Sequence, residues 1–179
     1  MSKKKTYAVF GLGRYGVAVA RELVNNGAEV IAVDSDEKVV NAAADELPIC
    51  KCADVTDPDV IRQLGISNVD VVIVAMANNL EASVMAVTLC KELGVKTVIA
   101  KCANEMHQKI FRRVGADQVI FPEKESGIRL AKNLLTSGFA EMITPYFWKR
   151  SPVFEAPGWA VPQLLTSAQH SSGQLPRIS

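Results

Sequence analysis

One segment constrains the fold of this chain more than any other: Gly11-Leu12-Gly13-Arg14-Tyr15-Gly16. It follows the apolar run Tyr7-Ala8-Val9-Phe10 without a gap. It leads into a stretch of helical period to about Asn26, with Val17, Ala20, Leu23 and Val24 on one face. Gly27 then stops the helix. Glycines at this spacing are weak alone, but between a strand and a helix each has a task. Gly11 permits the tight turn, Gly13 lets a diphosphate approach the backbone, and Gly16 lets helix and strand pack closely. The unpaired N–H groups of the helix start then face the phosphates.

The alternation continues to about residue 139. Glu29-Val30-Ile31-Ala32-Val33 reads as a second strand, Asp36 opens a helix to about Asp45, and Ile49-Cys50-Lys51-Cys52 reads as a third strand. Asp57 and Pro58 suit the N-cap and first position of a short helix ending near Leu64-Gly65. Val71-Val72-Ile73-Val74-Ala75 is nearly continuous apolar sequence, as expected of a parallel strand covered on both faces. Helices over about 79–93, 105–114 and 123–137 alternate with strands over 96–100 and 118–121. This pattern predicts an α/β fold: a doubly wound, six-stranded parallel Rossmann sheet in the order 3-2-1-4-5-6. Ligand then binds outside the carboxyl ends of strands one and four.

Residues 5–139 are expected to form that domain. From Pro145 onward the chain holds five of its eight prolines and both tryptophans, with no persistent period. Residues 140–179 are therefore expected to be an irregular or disordered tail. Apolar residues make up 49% of the chain, enough for a core. Lysine plus arginine number 20 and aspartate plus glutamate 19, which gives no footprint for nucleic acid. The basic start, Met1 to Lys5, precedes an apolar run too short for a signal core, and no stretch approaches a membrane span, so a cytoplasmic protein is expected. Cys50, Cys52, Cys90 and Cys102 lack partners at zinc spacing and read as buried, reduced thiols.

Asp34 ends the second strand, 18 residues after Gly16. A carboxylate there can accept hydrogen bonds from both ribose hydroxyls, and it disfavours a 2′-phosphate. Asp36 can cap the next helix, which leaves Asp34 free for ligand. Asp54, after the third strand, lies where the adenine edge is expected, with an ordinary turn residue as the alternative. Ala75 to Asn79, including Ala77 and Asn78, follow strand four and face the glycine turn, although Asn78 could instead cap a helix. Tyr15, Ser35 and Val55 complete the candidate set beside these residues. Lys101, at the end of strand five, reads as a cleft-rim cation. Arg14 is unusual inside such a turn. A guanidinium there can hold a terminal phosphate in bidentate fashion, which favours ATP or ADP over NAD. An exposed, solvated arginine is the alternative.

A dehydrogenase needs an acid or base near its cofactor. Neither His107, which reads as a surface residue, nor Lys101 has a partner at catalytic spacing, so no catalytic residue is assigned and a binding module is favoured over an enzyme.

The residues Ala8 to Gly16, Val33-Asp34, Ile73-Val74-Ala75, Gly115-Ala116-Asp117 and Pro122-Glu123-Lys124 resemble the N-terminal (TrkA-N) domain of RCK regulators of potassium conductance, above all the nucleotide-binding subunits of Trk/Ktr-type potassium uptake systems. The resemblance covers about residues 5–139. It implies a regulatory subunit that forms a homodimer, assembles into an octameric ring, and gates a membrane potassium-translocating subunit from the cytoplasmic side. ATP/ADP, or NAD/NADH in some members, would set the ring's shape. It also implies that Arg14 contacts a terminal phosphate, that Asp34 holds the ribose, and that Glu123 helps hold a nucleotide-linked divalent cation, Mg or Ca. A first-turn glutamate favoured by the helix dipole is the plain alternative for Glu123. Ile128, Ala131, Leu134 and Leu135 form an apolar stripe suited to the domain's core, to dimer contacts, or to both. Full-length members continue into a second, ligand-sensing domain, and the tail here resembles none. The competing reading is a small NAD-dependent oxidoreductase or NAD-redox sensor on the same fold.

Overall fold

A computed structural model describes residues 5–76 and 78–136. The expectations for Ala77 and for residues 140–179 fall outside the described residues. Six parallel strands form one sheet: β1 (Thr6–Phe10), β2 (Glu29–Asp34), β3 (Cys50–Cys52), β4 (Val71–Val74), β5 (Thr97–Lys101) and β6 (Gln118–Ile120). Their order is β3-β2-β1-β4-β5-β6, as the alternation predicted. Between them run α1 (Arg14–Asn25), α2 (Glu37–Ala43), α3 (Pro58–Gln63), α4 (Leu80–Glu92) and α5 (Glu105–Arg113), and α6 (Pro122–Thr136) follows β6. A 3-10 turn at Ile66–Asn68, which the sequence pattern did not suggest, joins α3 to β4. The chain divides into two units, the first ending at Gly127; the remainder of α6 belongs to the second.

Alternation along the strands divides the core in two. Ala8 and Phe10 of β1, Val72 and Val74 of β4, and Val98 and Ala100 of β5 face one cluster, with Ala86 and Val87 of α4 and Phe111 of α5. Val9, Val30, Ala32 and Ile73 face the other, with Ala20 of α1 and Val40 and Ala43 of α2. Val17, Leu23 and Val24 pack against this second cluster, so the α1 stripe read from the sequence is the buried one. β1 lies at the centre of the sheet and pairs with β2 on one side and β4 on the other. The site is built around its carboxyl end.

The cysteines divide by position. Cys90 and Cys102 are buried, as expected. Cys52 is exposed and Cys50 half-buried, which corrects the reading of all four as core residues. Both lie on β3, an edge strand only three residues long, where one flank of the sheet is open.

Candidate functional site

The turn between β1 and α1 is pinned from three directions. The Gly11 amide donates to the Val33 carbonyl at 2.8 Å, and the Ala75 amide donates to the Phe10 carbonyl at 2.7 Å. The Leu12 amide donates to Asp34 Oδ2 at 2.7 Å. Gly11 has φ +91, a left-handed conformation that side chains resist, and a Cβ there would lie 2.7 Å from Met76 Cγ. At Gly16 a Cβ would stand 1.9 Å from the Gly11 carbonyl oxygen, so helix and strand approach closer than any side chain allows. At Gly13 a Cβ would meet nothing within 4 Å. The protein's own packing has no use for a glycine there, and the space above it is open.

Four helices are capped by side chains. Asp36, Asp57, Asn79 and Asn104 accept from amides of α2, α3, α4 and α5, and each of these helices has an acidic residue in its first turn. α1 has neither a side-chain cap nor an acidic first turn. Its orphan N–H groups and the positive end of its dipole open toward the space over Gly13. A helix start left open in this way stabilises an anion placed beside it.

A cleft of about 930 Å³ spreads from this turn. On the β2–β3 side it is lined by Asp34, Ser35, Asp54 and Val55; on the β4–β5 side by Ala75, Asn78 and Lys101. Gly11, Gly13, Arg14, Tyr15 and Glu123 also line it. Gly16 is the one described candidate outside the lining, and its role is packing. Asp34 is not free, contrary to the sequence-based expectation: beside Leu12, it accepts from the Asp36 amide at 2.9 Å through Oδ1. Asp36 does cap α2, through the Lys38 amide at 2.9 Å. Asp54 Oδ1 accepts from both the amide and the hydroxyl of Thr56, at 2.9 and 2.7 Å. The Thr56 hydroxyl, then its amide, hold the Asp54 carboxyl below the usual carboxylate range. The cap of α4 is Asn79, accepting from Ala82 at 3.0 Å, rather than Asn78.

The cationic end is more tightly made. Arg14 is exposed and makes no hydrogen bond or ion pair within the described residues. Lys101 Nζ lies 2.8 Å from Glu123 Oε1 and 5.5 Å from the centroid of the Tyr15 ring. The Lys101 contact, foremost its hydrogen bond, holds the Glu123 carboxyl low, with Arg14 adding to the effect. Burial, then the charges of Glu125 and Glu123, raise the Tyr15 phenol. Among the described residues no three His, Cys, Asp or Glu side chains gather into a metal site.

On the far wall of the cleft, Glu81, Ala82 and Met85 of α4 escaped the sequence reading, while Met76 and Asn79 fall in the segment from Ala75 to Asn79 that it placed facing the glycine turn. The spacing of Glu81, Ala82 and Met85 on one face of the α4 start is the signal that could have found them. Buried Ser83 holds this wall: its hydroxyl reaches the Asn79 and Met76 carbonyls at 2.8 and 2.9 Å. His107 is half-buried with its Nδ1 enclosed, not a surface residue as the sequence suggested, because it stands four residues before buried Phe111 on the same face of α5. It does not line the cleft.

Sheet order, glycine turn and terminal acid of β2 together define a Rossmann-type nucleotide-binding fold. The chain belongs to the TrkA-N domain family, whose model matches residues 7–122. It is 38% identical over 140 residues to Ktr system potassium uptake protein C of Bacillus subtilis, covering 78% of this chain and 63% of that protein. Ktr system potassium uptake protein A of the same organism is 40% identical over 132 residues, 74% of this chain and 60% of that protein. The chain thus spans about three fifths of the length of these relatives. Among solved structures, the Kef C-terminal domain of Shewanella denitrificans in its AMP-bound form matches with TM-score 0.62 and 17% identity, over 75% of this chain and 83% of that one. The GsuK channel bound to NAD matches with TM-score 0.59 and 16% identity, over 66% of this chain and 22% of that one. At such identities these two show the fold. No described helix is long and apolar enough to cross a membrane.

Proposed function

We propose that this chain is a regulatory subunit of a membrane potassium uptake system, and that residues 5–139 bind ATP or ADP to gate the transporter. One observation carries the nucleotide part. The only described helix start without a side-chain cap among α1 to α5 opens onto empty space over Gly13, with an unpaired arginine as its first residue. Phosphate would lie on the α1 amides, Arg14 would take the terminal phosphate, and Asp34 and Ser35 would meet the ribose. Asp54 would face the base, and Glu123 a cation held by the phosphates. The potassium part rests on the names of the two Ktr relatives. The same reading makes the chain non-enzymatic, a homodimer or octameric ring at the cytoplasmic face.

The second reading, an NAD-redox sensor or small NAD-dependent oxidoreductase, is favoured by the extension of the cleft past β4 to Met85, which leaves room for a second nucleoside. Thermal shift with ATP, ADP, AMP, NAD and NADH separates the two. Ligand at a hundred times its Kd stabilises by about 2.7 kcal/mol. R14A should weaken ATP and ADP about tenfold to a hundredfold, the range for a lost charge-assisted contact, and AMP much less. Stabilisation by NADH alone, unchanged in R14A, refutes the ATP/ADP assignment.

A further inference from the structure

Lys101 and Glu123 form an unequal pair. The lysine side chain is 14% exposed and the glutamate 63%. Lys101 is fixed at the end of β5, with its ammonium over the Tyr15 ring in the first turn of α1. An ammonium so enclosed needs an anion beside it. Within the protein that anion is Glu123, 2.8 Å away. Glu123 is the member that can leave at little loss, because its carboxylate is already mostly in water.

Both groups line the cleft beside Gly13 and Arg14. Tyr15, whose ring lies 5.5 Å from the Lys101 ammonium, stands in the first turn of α1, so a phosphate on the α1 amides would share the cleft with that ammonium. Lys101 cannot serve this phosphate fully while Glu123 occupies it, and Glu123 repels the phosphate besides. From this geometry, and resting on the nucleotide reading above, we infer that Glu123 is a built-in competitor for Lys101. A bound terminal phosphate displaces Glu123 from the lysine, and the displacement sets the site's affinity for polyphosphate nucleotides. Because Glu123 stands in the first turn of α6, the exchange hands phosphate occupancy to that helix.

The competition differs from simple repulsion in one measurable way: it requires the lysine. ADP binding is measured by calorimetry in EDTA for wild type, E123Q, K101Q and K101Q/E123Q, with K101M as a second neutral background. E123Q should tighten ADP by about threefold to tenfold, the scale of a partly enclosed charge pair. In K101Q or K101M the same change should alter affinity by less than about twofold, which covers the direct repulsion from an exposed carboxylate and matches the limit of additivity for uncoupled sites. K101R, which keeps the charge, should preserve the Glu123 effect. An equal effect of E123Q in the lysine and neutral backgrounds overturns the competition and leaves nucleotide binding standing. ADP bound by none of these proteins overturns both.

Discussion

Gly13 and Gly16 belong to one turn, yet they should fail in opposite ways when each is given a single methyl group. At Gly16 the added Cβ falls 1.9 Å from the Gly11 oxygen and 3.0 Å from its carbonyl carbon. Both are backbone atoms, so the strand and the helix must separate. Overpacking of this kind costs about 1–3 kcal/mol, occasionally more. For a chain of this size that lowers Tm by roughly 3–10 °C. At Gly13 the Cβ meets nothing, and φ −67, ψ −178 is backbone that alanine adopts freely. Alanine restricts the unfolded chain, a gain of about 0.4–1 kcal/mol. It is also a poorer N-cap than glycine, a loss of similar size. G13A should therefore melt within about 3 °C of wild type. Its methyl group nevertheless occupies the space over the α1 amides, and ADP should bind at least about tenfold more weakly, a loss of about 1.4 kcal/mol. Differential scanning fluorimetry gives the stabilities and calorimetry the affinities. G13A binding ADP within about twofold of wild type refutes the placement of the phosphate over Gly13. G13A losing as much stability as G16A refutes the steric account of the turn.

S83A removes a buried hydroxyl that serves two carbonyls, and should cost about 1–3 kcal/mol in denaturant unfolding with the cleft wall loosened. Asp117 gives the fold an acid-sensitive point. Its partial burial opposes ionisation, but the Val98 amide at 2.7 Å and Lys91 outweigh that and hold the carboxyl below its usual range. Its stabilising effect is complete above the unfolded value, about pH 4, and is lost as pH falls through the lower folded value. D117N should flatten the decline of Tm with pH below about pH 4, and an unchanged slope would contradict this. Burial pushes the Cys90 thiol up to about 12. Alkylation at pH 8 followed by mass spectrometry should label exposed Cys52 in the folded protein and Cys90 only in denaturant.

Local periodicity made the sheet legible. Apolar runs covered on both faces, such as Val71–Val74, name central strands, and the glycine turn after β1 marks where the strand order reverses. Helix starts were legible where an aspartate caps them, as at Asp36 and at Asp57-Pro58. The site was legible only where a residue's role follows from its place at a strand end. Asp34 was found, but its bond to the Leu12 amide spans 22 residues and depends on how β2 abuts the turn. The Lys101–Glu123 contact likewise joins residues 22 apart across β5 and α6. Glu81, Ala82 and Met85 on α4 were missed because helix periodicity reports which face is buried, not which faces a ligand. The choice of Asn78 over Asn79 as a cap turned on a single residue of register.

Asp34 holds the turn with one oxygen and the start of α2 with the other, while its position suits it to a ribose. Exchanging the acid at the end of β2 is the simplest route by which a fold of this type comes to admit a 2′-phosphate. In this chain that exchange would also strip the acceptor from the Leu12 amide and loosen the loop on which any phosphate rests. Descendants of this sequence could not drift toward phosphorylated cofactors by one substitution. If Asp34 does meet a ribose, ligand preference would be inherited together with the rigidity of the loop, and a second change, supplying a new acceptor for Leu12, would have to come first.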